Sequence, residues 1–200
     1  MRTGYRIRTV GFVVVLAVGF IVLGWRSVSE LVGVARTSSS ANLPFRNELT
    51  LDRVQPVSTF DPTQANPAIY DHVAVYDASG RKITLDASKD PLLFEAYWCP
   101  HCQRTLVLLN RNWSKLVQKP LIVSMGFKPG TTLNEAVHLE QQELQAFHLK
   151  SFQVYYLLDP NQSKYVPYTY PTLVINRDNS LDMLHGEHTL PVWLKAFSGT

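Results

Sequence analysis

The chain has only two cysteines, Cys99 and Cys102, and no third with which either could bridge distant loops. That scarcity excludes a disulfide-stapled scaffold and leaves no second pair to complete a four-cysteine zinc site. No internal repeat is present. Charged side chains make up 18% and hydrophobic ones 46% of the 200 residues, which argues against global disorder and against a multi-span membrane protein. A basic surplus on the body of the chain is also missing. Residues 1–36 carry five arginines and one glutamate, leaving 14 basic against 15 acidic side chains in the remainder. A nucleic-acid footprint would need that excess on the folded part.

What is present begins at the start of the chain. Arg2, Arg6 and Arg8 precede the run from Val10 to Trp25, which contains no charged residue. A basic region before an apolar core is the grammar of an export signal or membrane anchor. Trp25 and Arg26 suit an interfacial stop, and basic residues mark the cytoplasmic side. The small-residue sites Gly33-Val34-Ala35 and Ser39-Ser40-Ala41 lie well beyond the apolar core, so a retained anchor is favoured over cleavage. The expected division is a cytoplasmic basic segment over 1–9, a transmembrane anchor or uncleaved signal over 10–34, and a polar tether over 35–70. A folded domain over 71–200 would then sit outside the cytoplasm, at a bacterial cell surface or in a periplasm.

Ordered patterning is expected from Asp71. His72 to Tyr76 and Lys82 to Leu85, joined by a turn at Asp77–Gly80, read as a hairpin. Pro91 to Tyr97 is a short apolar and aromatic run, the signature of a buried central strand that ends where the cysteines begin. Leu106, Leu109, Trp113 and Leu116 recur at helical spacing after Cys102. Leu121–Phe127 reads as a second strand. Thr132 and Glu135 have capping-box spacing before a helix carrying Leu133, Val137, Leu144 and Phe147. Phe152–Leu158, a hairpin over 172–185 and a closing helix over 191–197 complete an α/β pattern with helices on both sheet faces.

The two cysteines therefore fall at a strand-to-helix junction. A thiolate is the species that attacks a disulfide, and free N–H groups and the helix dipole at a helix N-terminus stabilise it. Pro100 suits the first helical turn, where its missing N–H is no loss, and His101 can add a donor or a positive charge. Cys102, one turn on, is placed to act as the resolving thiol. A Cys99–Cys102 disulfide closes so small a ring that it contributes little as a staple, which points to a pair that opens and closes. A metal clamp would need Cys99, Cys102 and His101 to recruit distant ligands such as His185 and His188.

Trp98-Cys99-Pro100-His101-Cys102 after an apolar strand, Tyr170-Pro171-Thr172 opening a later strand, and Gly186 before the final helix together make residues 71–198 resemble the thioredoxin superfamily. The resemblance implies a thioredoxin-like fold with a central mixed sheet, and a cis bond between Tyr170 and Pro171. It also implies substrate contact at Trp98, Tyr170 and Pro171. The hairpin before the cysteines and the helix between the second and third central strands resemble membrane-tethered TlpA-type thiol reductases, whereas Pro100-His101 resembles DsbA-type oxidases. Many relatives carry a buried acid at the position that is Leu93 here. Glu95 lies two residues on, on the same face of the strand, and is the candidate proton acceptor for Cys102. His72, His138 and His148 read as surface or structural residues.

The expectation is a membrane-anchored thiol–disulfide oxidoreductase, with Cys99 and Cys102 catalytic and Pro100, His101 and Glu95 tuning them. Its partners would be protein thiols or disulfides and a membrane redox protein, without a metal or organic cofactor. Oxidase use is slightly favoured over reductase use. A copper-chaperone-like protein, binding through the two cysteines and a histidine, is the alternative.

Overall fold

A computed structural model describes residues 55–199. The membrane segment expected over 10–34 and most of the tether lie outside the described residues. Among the described residues, no helix is long and apolar enough to cross a membrane.

The elements run β1 (Thr63–Gln64), α1 (Pro67–Tyr70), β2 (Val73–Tyr76), β3 (Lys82–Leu85), β4 (Leu92–Glu95), α2 (Pro100–Arg111), β5 (Leu121–Ser124) and α3 (Leu133–Ala146). They continue with β6 (Gln153–Tyr156), β7 (Thr172–Arg177), β8 (Ser180–His185) and α4 (Leu190–Ala196). All the strands join one mixed sheet in the order β1-β8-β7-β4-β5-β6-β2-β3. The central strand β4 runs parallel to β5 and antiparallel to β7.

Order begins earlier than Asp71. Val57 bridges His188, β1 pairs with β8, and Asn66 caps α1 by accepting from the Ala68 N–H, so the last part of the expected tether belongs to the folded body. The sequence there has no sustained period because each contact is made by one or two residues.

Alternation along β4 sorts the core. Leu92 and Phe94 join Val123, Val174, Tyr155 and Tyr70 on one face. Leu93 joins Ile122, Leu173 and Ile175 on the other, with Leu106 and Leu109 of α2 and Val192 and Trp193 of α4. Ala136 of α3 packs on Tyr156, on the Leu93 face, since the register aligns Glu95, Ser124 and Tyr156. The three longer helices thus share one face, and the opposite face carries the single turn of α1 and a 3-10 turn at Gln162–Tyr165. The expectation of helices on both faces holds only through these short elements.

Candidate functional site

β4 ends at Glu95, and four residues later Cys99 caps α2 with an extended backbone (φ −87°, ψ 116°), Pro100 taking the first helical position. Both cysteines are free thiols, so the expected Cys99–Cys102 disulfide is open here. Cys99 is 6% exposed, while Cys102 is fully buried. The Ala96 N–H donates to Cys102 Sγ at 3.4 Å, which fixes the second sulfur against the end of β4.

The two thiols are driven apart in acidity. The Cys102 thiol hydrogen-bonds Cys99 and, against the cost of burial, brings it down to about 6; the N–H groups of Cys102 and His101 and the His101 charge act in the same direction. Burial pushes Cys102 well above the ordinary thiol range, and Cys99 and Glu95 add to that. This is the asymmetry that an attacking and a resolving thiol require.

The Tyr170–Pro171 bond is cis. Tyr170 packs on the cluster formed by Ala96, Cys99 and Cys102, and its ring meets Trp98 edge-on at 5.8 Å. Trp98 is 47% exposed and donates through Nε1 to the Gly126 carbonyl at 2.9 Å. The Pro171 carbonyl accepts from the Gly186 N–H at 2.7 Å, tying the loop before β7 to the end of β8.

His101 is engaged in a network that the sequence did not reveal. Glu187 accepts from Arg104 through Nε at 2.9 Å and Nη2 at 2.6 Å, and its Oε2 lies 3.0 Å from His101 Nδ1. Arg104 Nη2 is also 3.0 Å from that nitrogen. A protonated Nδ1 donates to Glu187 and an unprotonated one accepts from Arg104, so only one of the two contacts forms at a time. Arg104 sits one turn along α2 from His101, a spacing that could have suggested the contact. Nothing in the sequence marked Glu187 as its partner.

Glu95 is fully buried at the end of β4. Burial, followed by the charges of Glu140 and Glu143, raises it well above the usual carboxylate range. Glu140 and Glu143 of α3 are also fully buried and were not singled out by the sequence. One carboxylate oxygen from each of the three residues lies within 4.8 Å of the others. Gly126 was missed as well. At φ +75° it favours glycine, and a Cβ there would come within 2.9 Å of the Ala96 Cβ.

The imagined histidine ligands lie in other contacts. His185 Nε2 is 3.2 Å from Thr63 Oγ1 with its ring edge-on to Tyr168, and His188 packs edge-on against Trp193. Among the described residues, the one group of three ligand-type side chains within 4.8 Å is the glutamate set, which includes neither cysteine.

No family model and no curated protein matches the chain. Solved structures with partial likeness include a secreted Mycobacterium tuberculosis disulfide oxidoreductase homologous to E. coli DsbE, at 14% identity and TM-score 0.48, covering 64% of this chain and 95% of that one. StoA from Bacillus subtilis aligns at 17% identity and TM-score 0.47, over 64% of this chain and 98% of its own. The pneumococcal exposed lipoprotein thioredoxin Etrx1 aligns at 19% identity and TM-score 0.47, over 64% and 99%.

Proposed function

We propose that the chain is a thiol–disulfide oxidoreductase of protein substrates, held at a membrane by its N-terminal segment with the folded body outside the cytoplasm. The observation that carries this reading is the paired asymmetry of Cys99, at the start of α2 and lowered to about 6, and Cys102, buried and raised. A thiol at about 6 is mostly thiolate at neutral pH, so it attacks a client disulfide and also leaves readily when a client thiolate attacks the Cys99–Cys102 bond. Trp98, Tyr170 and Pro171 form the surface beside Cys99 on which an extended client segment would lie.

Exchange proceeds through a mixed disulfide between Cys99 and the client. Cys102 then attacks Cys99, closing the intramolecular disulfide and releasing the client thiolate; the reverse sequence donates the disulfide. The stabilised thiolate favours the reduced enzyme and hence disulfide donation. Equilibration with glutathione buffers tests direction. A potential of about −120 mV supports an oxidase, and one of about −270 mV makes the chain a reductase.

A further inference from the structure

Glu95, the carboxylate that acts on the buried Cys102 thiol, belongs to a group of three with Glu140 and Glu143. Register places Glu95 of β4 beside Ser124 of β5, and Ser124 beside Tyr156 of β6. Ala136, Glu140 and Glu143 are the fully buried residues of α3, spaced so that they face this row. Ser124 Oγ donates to Glu140 Oε2 at 2.6 Å. Both oxygens of Glu143 are buried without a hydrogen-bond partner among the described residues, and those of Glu95 and the other Glu140 oxygen make no bond of ordinary geometry, although the Ser124 and Glu140 side chains lie near enough to Glu95 to act on its acidity.

Three buried, adjacent carboxylates cannot all carry charge. No salt bridge among the described residues includes any of them. The titratable groups acting on the set are Cys102 and Cys99 from the start of α2, Tyr156 from β6 and Tyr170 from the loop before β7. None of these supplies a fixed positive charge. Protons shared among the carboxylates remove most of that charge, and one proton fewer than carboxylates leaves an oxygen free to accept another.

On the exchange reading above, with Glu95 as the acceptor expected for the Cys102 proton, we infer that Glu140 and Glu143 join it in one proton-sharing cluster that takes up and returns that proton. Glu95 exchanges the proton with the thiol, and Glu140 and Glu143 are positioning residues that keep a vacancy available. In the mixed disulfide the Cys102 S–H proton passes to a carboxylate oxygen of Glu95. The electron pair left on Cys102 sulfur forms the bond to Cys99 Sγ, and the client sulfur departs with the electrons of the broken S–S bond. In the reverse direction the proton returns to the departing Cys102 thiolate. Charge on the cluster changes by one proton per exchange.

The test loads Cys99 of the full-length chain with a chromogenic aromatic thiol as a mixed disulfide and follows its release against pH. Glu140→Gln and Glu143→Gln are each expected to slow release at neutral pH by at least about tenfold and to displace its pH midpoint. Glu143→Asp should restore much of the rate. Infrared difference spectra between oxidised and reduced wild type should contain a protonated-carboxyl C=O change that is altered in Glu143→Gln, a readout independent of turnover. Unchanged release profiles in both glutamine variants, with wild-type release intact, would overturn the cluster and leave the exchange reading standing. A stoichiometric divalent cation in the purified chain, lost in Glu143→Gln, would also overturn it by making the cluster a metal site. Failure of wild type to release the thiol through Cys102 would sink the exchange reading and the inference with it.

Discussion

Arg104 and Glu187 form a buried two-pronged ion pair between the active-site helix α2 and the turn that follows β8, with Nη2 to Oε2 at 2.6 Å. Both side chains are less than a tenth exposed. Removing one partner strands the other charge away from water, which costs about 3–5 kcal/mol. Glu187→Gln should therefore lower the urea midpoint by a corresponding amount. The double replacement Arg104→Met with Glu187→Leu should cost less than either single change.

Cys99 titration links acidity to stability in the reduced protein. Its thiol lies at about 6 when folded, against 9.0 for an unperturbed cysteine. The folded state thus prefers the thiolate, and the contribution is complete above the unfolded range and lost as pH falls through about 6. The full difference is about 4 kcal/mol. Urea unfolding of reduced wild type and of Cys99→Ser should diverge progressively from pH about 6 upward. Equal pH slopes for the two would show that the thiolate is not stabilised by the fold.

The glutamate cluster has the opposite sign. Burial raises Glu95, Glu140 and Glu143, so the folded state retains protons that the unfolded chain releases once pH passes the ordinary carboxylate range. Stability from this source is full below that range and falls as pH rises towards the raised folded values. Oxidised protein, in which neither thiol titrates, should lose stability as pH rises above the ordinary carboxylate range. Glu143→Gln should flatten that loss.

Gly126 sets the position of Trp98. Alanine there combines a positive φ with a contact of 2.9 Å to the Ala96 Cβ, and its Cβ would lie 3.2 Å from Trp98 Nε1. Strain of this kind costs about 1–3 kcal/mol. Gly126→Ala should lower the melting temperature and alter Trp98 emission, and the rate of mixed-disulfide formation should fall with it.

Much of the body was legible because its signals are local. The period-2 and helical patterns located the strands and helices to within a few residues, and Thr132 and Glu135 form the capping box that their spacing suggested. Cys99 and Cys102 could be placed because a strand ends and a helix begins around them. The Arg104–Glu187 pair was not legible, since its members lie 83 positions apart and meet only after β8 returns beside the helix. The glutamate cluster was hidden for a different reason. The buried seam of α3 is Ala136, Glu140 and Glu143, so the hydrophobic pattern points to Leu133, Val137, Leu144 and Phe147, which pack at its flanks. Val57 and β1 were hidden because isolated contacts leave no periodic trace.

The most direct measurement compares Cys102→Ala and Cys99→Ala in cells, with free thiols blocked at harvest and disulfide-linked adducts resolved without reductant. Cys102→Ala should accumulate mixed disulfides with several proteins through Cys99, and Cys99→Ala should accumulate none. Identical adduct patterns in the two variants, or none in either, would contradict a division of labour between an attacking Cys99 and a resolving Cys102.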